Sequence, residues 1–212
     1  MNYNLVQSPG LRAARQRGFA LMEVLVSLVI LLIGLLGLAG VNNRANLAEM
    51  ESYQRVQALE LVQDMANRIN ANRRVASCYS NGTAGVQLGG SSNTIPACTA
   101  AGSNTQQQTQ AVADLTAWRD LINGQAETQV NSGTTQKLGG MIGAIGCVTL
   151  DATDTVGGNT VNTYLIAVSW QGLAKTAAPL KGGVAFPCGN GSYGNEALHR
   201  VVTTKVQVGV LS

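Results

Sequence analysis

Residues 19–41 read FALMEVLVSLVILLIGLLGLAGV, and Glu23 is the only charge among them. Coiled as a helix at roughly 1.5 Å per residue, the run is about 34 Å long. That crosses a hydrocarbon core of about 30 Å with a little tilt. The residues before it carry Arg12, Arg15 and Arg17 and no acid. Basic charge beside an apolar span holds that flank in the cytoplasm and sends the chain beyond the span outward. Whatever else this chain folds into must hang from a membrane-crossing helix, and two details separate that helix from a plain anchor. Arg17–Gly18 stands directly before the run, and a carboxylate sits only a few residues into it. A charge deep in a membrane helix costs on the order of 2.5–3.5 kcal/mol and usually marks function. Near the helix end, snorkelling reduces that cost.

The net charge of +3 suggests a basic protein, but the leader alone creates it. Three of the 14 basic side chains lie in residues 1–18, which leaves 11 against 11 acids in the remainder. Beyond the leader there is no electrostatic case for nucleic acid or anionic headgroups, and no nucleic-acid partner is expected. The four cysteines are Cys78, Cys98, Cys147 and Cys188. An even count on the outward side of a membrane span favours disulfides. Of three possible pairings, Cys78–Cys98 and Cys147–Cys188 each close a local loop, and these two are expected. A closed loop of 15 residues is worth about 3 kcal/mol in the chain-entropy model. Metal binding needs clustered ligands such as CxxC with histidine. The chain has no CxxC and a single histidine, His199.

The apolar run continues without proline or glycine into residues 42–75. There Ala58, Leu61, Val62, Met65 and Ile69 recur at helical spacing. Glu51–Arg55 and Asp64–Arg68 are acid-before-base pairs at i, i+4 that suit a solvated face. One long helix is therefore predicted from near Phe19 to about Arg74. Gly34, Gly37 and Gly40 within it permit either close helix packing or a locally loosened helix. Residues 76–108 are rich in Gly, Ser, Asn and Thr and read as a long loop tethered by Cys78 and Cys98. Residues 109–123 read as a short helix with Ala111, Leu115, Trp118 and Ile122 on one face, Thr109 as cap and Gly124 as terminator. Trp118 is read as a core anchor. Strands are expected at 141–150, 162–171 and 200–210. Tyr164, Ile166, Val168 and Trp170 share one face of the second. Val202, Thr204, Val206, Val208 and Val210 share one face of the third, with Lys205 and Gln207 opposite. Gly157–Gly158–Asn159 and the 172–183 stretch supply turns. The order of elements predicts an α+β fold in which a long N-terminal helix lays its second half on a small antiparallel sheet.

Nothing in the chain reads as catalytic machinery. The pairs Gly89–Gly90, Gly139–Gly140 and Gly182–Gly183 lack the Lys-Ser/Thr of a phosphate loop and the spacing of a dinucleotide loop. One histidine leaves little room for a triad. Asp151 and Asp154 stand in a Thr/Gly-rich stretch and read as solvated turn acids; a calcium loop needs more oxygen ligands at fixed spacing. Neither an enzyme nor a cofactor is expected.

Gly18, then Phe19–Ala20–Leu21–Met22–Glu23, then an apolar stretch, resembles the class III signal of type IV prepilins and pseudopilins, with Ala20 and Met22 as departures that stay small or apolar. Three further segments resemble the PilV-type minor pilins, the type IV pilus modification proteins. They are LVQDMANRINANR at the end of the long helix, the Asp114–Leu115–x–x–Trp118 pattern, and VSWQG with the His199–Thr204 run. The resemblance implies a type IV pilin-like fold. Residues 1–18 would be a cytoplasmic leader, 19–41 a membrane and assembly half-helix, 42–75 an amphipathic half-helix and 76–212 a periplasmic head. It implies cleavage between Gly18 and Phe19 by a prepilin peptidase, N-methylation of Phe19, and Glu23 as the carboxylate used in assembly. The implied partners are the peptidase, other minor pilins, the major pilin, inner-membrane lipid and a tip adhesin. The implied location is the inner membrane, then the pilus, with a priming or tip-associated role.

Two other readings compete. A type II secretion minor pseudopilin has the same signal. A conventional signal-peptidase site at Leu38–Ala39–Gly40–Val41 would instead release a soluble binding module starting near residue 41.

Overall fold

The computed structural model describes residues 19–100, 102–125, 128–131, 134–137 and 140–209. Contacts divide the chain into two compact units between Asn46 and Leu47. Helix α1 (Phe19–Ala71) contributes to both. In the first unit, α1 from Leu21 to Asn46 is exposed at every described side chain. This stretch is long and apolar enough to cross a membrane.

In the second unit α1 changes character. Ala58, Val62, Met65 and Ile69 are fully buried, and Leu61 nearly so, as the spacing predicts. The helix stops at Ala71, short of Arg74. Asn72 leaves helical geometry at φ −121°, and a 3-10 turn (Arg73–Val75) follows. The Asn72 main-chain N–H still donates to the carbonyl of Arg68 at 3.1 Å, and its side-chain amide donates to the carbonyl of Gln107 at 2.9 Å, tying the end of the helix to α3.

The segment read as a loop over 76–108 contains two short elements, α2 (Ala76–Tyr79) and β1 (Val86–Gly89). Helix α3 (Thr105–Ile122) starts four residues earlier than expected. Its cap is Asn104, whose side chain accepts from Gln107 N–H while the Gln107 side chain accepts from Asn104 N–H. Thr109 instead bonds the carbonyl of Thr105 inside the helix. The far end behaves as predicted: Gly124 follows the cap residue at φ 77°. The β2 (Thr128–Asn131) and β3 (Thr134–Lys137) strands then form a small hairpin.

The main sheet follows. Strand β4 (Ile145–Val156) begins later and ends later than the 141–150 segment, and β5 (Asn159–Gln171) returns beside it. Their connection turns at Gly157 and Gly158, both at positive φ, which a two-residue hairpin of right-handed twist demands. Short strands β6 (Leu180–Lys181) and β7 (Val184–Ala185) make a second hairpin, and β8 (His199–Gly209) closes the sheet. The order β1-β4-β5-β8 is antiparallel throughout.

One face of this sheet meets the helices. Tyr164, Ile166, Val168, Trp170, Val202, Val206 and Val208 pack with the α1 stripe and α3 in one apolar cluster. Val210 lies outside the described residues. Helix α3 presses onto β4 at Gly146, where an added Cβ would collide with Trp118 and Ile122. The opposite face is covered too. Ile145, Cys147, Leu165, Ala167, Phe186, Cys188 and Tyr193 form a second cluster under the β7–β8 connection. Both faces of β5 are therefore buried, although its pattern alternates. The disulfide Cys147–Cys188, with Cα atoms 5.9 Å apart, fastens that connection to β4. Cys78–Cys98, at 5.1 Å, fastens the end of α2 to the coil before α3.

Candidate functional site

The residues that the sequence singles out for function lie at the start of α1. Gly18 lies outside the described residues, and so does the bond after it. Phe19 opens the helix. Glu23 stands one turn in and is exposed, and no cation among the described residues reaches its carboxylate. Its main-chain carbonyl accepts the Ser27 hydroxyl at 2.7 Å, an ordinary i, i+4 contact that satisfies Ser27 within the helix. The helix runs unbroken past Gly34, Gly37 and Gly40, and apart from the helix's own backbone nothing lies within 4 Å of a Cβ built on any of them. This stretch offers an apolar cylinder with one carboxylate near its end. It holds no arrangement that moves a proton or attacks a bond.

In the second unit, two of the segments carrying the family resemblance, the end of α1 and the Asp114–Trp118 stretch of α3, meet at one polar knot. Asp114 lies on the apolar stripe of α3 and is buried. It accepts from the Tyr79 hydroxyl at 2.5 Å, from Arg68 Nη1 at 3.1 Å and from Gln110 Nε2 at 2.9 Å. Arg68 also donates to Asp64 at 2.8 Å, so the pair expected on the solvated face is one arm of a larger network. Asp64 and Asp114 hold the guanidinium above its ordinary pKa, the hydrogen bond that Arg68 donates to Asp64 contributing most. Burial and the bond to Asp114 push the Tyr79 hydroxyl well up, so it stays a donor. Trp118 is fully buried and donates its indole N–H to the carbonyl of Leu61 at 2.9 Å. Sequence reading anticipated Trp118 as an anchor but missed the knot. The available signal was an acid at position 114 between Ala111 and Leu115, on the face otherwise reserved for apolar side chains.

Two acids behave differently from their sequence reading. Glu51 does not serve a surface pair with Arg55. It accepts from the main-chain N–H groups of Leu173 and Ala174, each at 3.0 Å, and from Arg200 Nη2 at 3.2 Å. Burial alone would raise its pKa, but the bonds from Ala174 and Leu173 and the Arg200 charge outweigh burial and lower it. Asp151 is not a turn acid. It lies at a bulge in β4, between Leu150 and Ala152, and takes Lys181 at 2.7 Å and Lys205 at 2.8 Å. Those two lysines hold its carboxyl below the usual range. Asp154 is exposed on the outer part of β4. His199, expected to stand outside any catalytic set, is buried, with Nδ1 2.9 Å from Glu196 Oε2.

The architecture is type IV pilin-like, a long N-terminal helix on a small antiparallel sheet, and two comparisons agree with it. Residues 13–39 match the prokaryotic N-terminal methylation motif, a stretch that includes Gly18, Phe19 and Glu23. Residues 41–116 match the family described as type IV pilin Tt1218, from the α1 stripe through Trp118's helix up to Thr116. The two matches support the type IV pilin superfamily. They indicate a prepilin-type pilin of pilus or pseudopilus assembly, a structural class whose apolar helix suits membrane anchoring. No curated protein and no solved structure matches the chain.

Proposed function

We propose that this chain is a minor prepilin of the PilV kind, a subunit that primes a type IV pilus or sits at its tip. Residues 1–18 act as a cytoplasmic leader, 19–41 as the membrane and assembly half-helix, 42–75 as the amphipathic half-helix and 76–212 as a periplasmic head. A prepilin peptidase cuts between Gly18 and Phe19, and the new amine of Phe19 is methylated. The subunit waits in the inner membrane, then joins other minor pilins, the major pilin and a tip adhesin.

What carries this reading is the match of the methylation motif over residues 13–39. The physics of the exposed helix supports it. Each large apolar side chain held out of water is worth roughly 1.5–3 kcal/mol, so a helix this apolar does not leave lipid for water. It can leave lipid for a bundle of like helices, because a packed apolar core resembles the bilayer interior. Glu23 then gives direction to the transfer. It is a liability in hydrocarbon and half of an ion pair beside the amine of a neighbouring subunit. At about 4 Å and an effective dielectric near 20, such a pair is worth on the order of 4 kcal/mol before desolvation.

N-terminal sequencing and intact mass of the mature protein test the reading. The expected start is N-methylated Phe19. A start near residue 41 overturns it in favour of a released module. Co-purification with secretion components in place of pilus subunits moves the chain to the pseudopilins.

A further inference from the structure

The sheet has two outer edges, and they are finished differently. At one edge β1 is only four residues long. The carbonyl of Gly89 accepts the Ser92 N–H at 3.1 Å, and the Ser92 hydroxyl donates to the carbonyl of Gln87 at 3.1 Å. The chain's own turn occupies that edge. At the other edge β8 runs eleven residues in unbroken register with β5. Gly172 N–H donates to the carbonyl of Leu198 at 2.7 Å, which sets the phase of the ladder. Bonded and non-bonded pairs alternate along an antiparallel ladder. Arg200, Val202, Thr204, Val206 and Val208 therefore turn their main-chain groups toward β5, and Val201, Thr203, Lys205 and Gln207 turn theirs outward. No strand among the described residues pairs with that side.

Long open edges are usually blunted by proline, a bulge, several lysines or a covering element. Strand β8 has no proline, no register shift and one lysine. Its outward row repeats a donor and an acceptor at every second residue, and only another extended main chain matches that repeat. We propose that the open edge of β8 receives an extended segment of a partner chain, about seven residues long, with an acidic side chain opposite Lys205.

Charge selects this occupant over a second copy of the same strand. β8 holds Arg200 and Lys205 and no acid. An antiparallel pair of copies that overlaps all the outward residues sets Lys205 of each opposite Thr203 of the other. The two lysines then meet as diagonal neighbours on one face, and in parallel register they meet head on. Long side chains reach across that diagonal, and like charges there destabilise the pair. The side chain of Lys205 is 60% exposed, and its partner Asp151 is shared with Lys181. One carboxylate against two ammonium groups leaves positive charge beside the edge for the segment to meet. The proposal does not rest on the assembly role above and survives any result at the N-terminus.

The test uses the full chain in detergent micelles and amide hydrogen exchange read by NMR. Two probes are added: a seven-residue peptide of alternating threonine and valine with glutamate at its third position, which falls opposite Lys205 when the peptide runs antiparallel along residues 201–207, and its twin with lysine there. The glutamate peptide is expected to slow exchange at Val201, Thr203, Lys205 and Gln207 by at least about tenfold, and the lysine peptide far less. Thr203→Pro removes an outward N–H and no ladder bond, so it abolishes the slowing while core amides stay protected. Should that variant fail to fold, Lys205→Glu provides the second arm and is expected to reverse the preference toward the lysine peptide. Unchanged exchange overturns the proposal. So does equal slowing by both peptides, and so does protection that grows with protein concentration in the absence of peptide, which would mark self-pairing.

Discussion

The two stretches of α1 share one conformation and obey opposite rules. From Leu21 to Asn46 every described side chain is exposed, including Leu25, Leu28, Leu31 and Leu35. From Leu47 to Ala71 the exposed positions are mixed with a stripe whose centre, Met65 and Ile69, is fully buried. Apolar content therefore says little about what a helix packs on; its distribution does. An apolar residue on every side suits a surrounding medium, whereas a stripe suits a single wall. The two stretches also treat their acids differently. Glu23 has no cation among the described residues, while Glu51, Asp64 and the facing Asp114 are each tied to arginine.

The sharpest way to probe this contrast is to remove the lone acid. Glu23→Ala is expected to be inserted and processed normally yet to fall to background in sheared pili, read by immunoblot of the pilus and membrane fractions. Normal incorporation would mean that the first stretch needs only its apolar surface. Next comes Trp118→Ala, which empties the core beside α1 and frees the carbonyl of Leu61; it is expected to destabilise the head by about 3–5 kcal/mol in urea unfolding. Asp114→Ala follows at about 1–3 kcal/mol, reduced from the fully buried case because Arg68 keeps some contact with water. Glu51→Gln is smaller, about 1 kcal/mol near neutral pH. Its signature is the pH dependence. The folded pKa of Glu51 lies below its ordinary 4.5, so its contribution is complete above that value and fades as the pH drops through the folded pKa. The variant should flatten the acid limb of the stability curve, and an unchanged limb would assign that slope to Asp151 and Glu196, whose pKa values are also lowered. Smallest of all, Leu31→Ala is expected to move the melting of the head by no more than about 0.5 kcal/mol. A larger change would break the separation between the two stretches.

Much of this was legible in the sequence because it follows from periodicity. The stripe of Ala58, Leu61, Val62, Met65 and Ile69, the alternation of β5 and β8, and the Gly157–Gly158 turn each repeat with the geometry that produces them. The segment that matches the N-terminal methylation motif was legible as a short pattern of residue types. What stayed hidden depends on contacts between distant residues. β1 is four residues of mixed character, and its pairing with β4 has no local signature. Thr109 lies nearer the apolar positions and reads as the cap, whereas Asn104 and Gln107 form the reciprocal cap five residues earlier. Asp151 looked like a turn acid because its two lysines are 30 and 54 positions away in sequence, brought together only when β8 and the β6–β7 hairpin meet the bulge. The second cover on β5 was invisible because Phe186 and Tyr193 sit in a segment with no period at all.

Both tryptophans of the chain, Trp118 and Trp170, lie in the core of the second unit and are almost fully shielded from water. The exposed stretch of α1 from Leu21 to Asn46 contains none. Intrinsic fluorescence is therefore a private channel to the second unit: it shifts to the red when that core opens and stays silent about the exposed apolar stretch. An unfolding curve recorded in bicelles or in detergent would report the same optical event each time, and the two curves could be laid over one another without any added label.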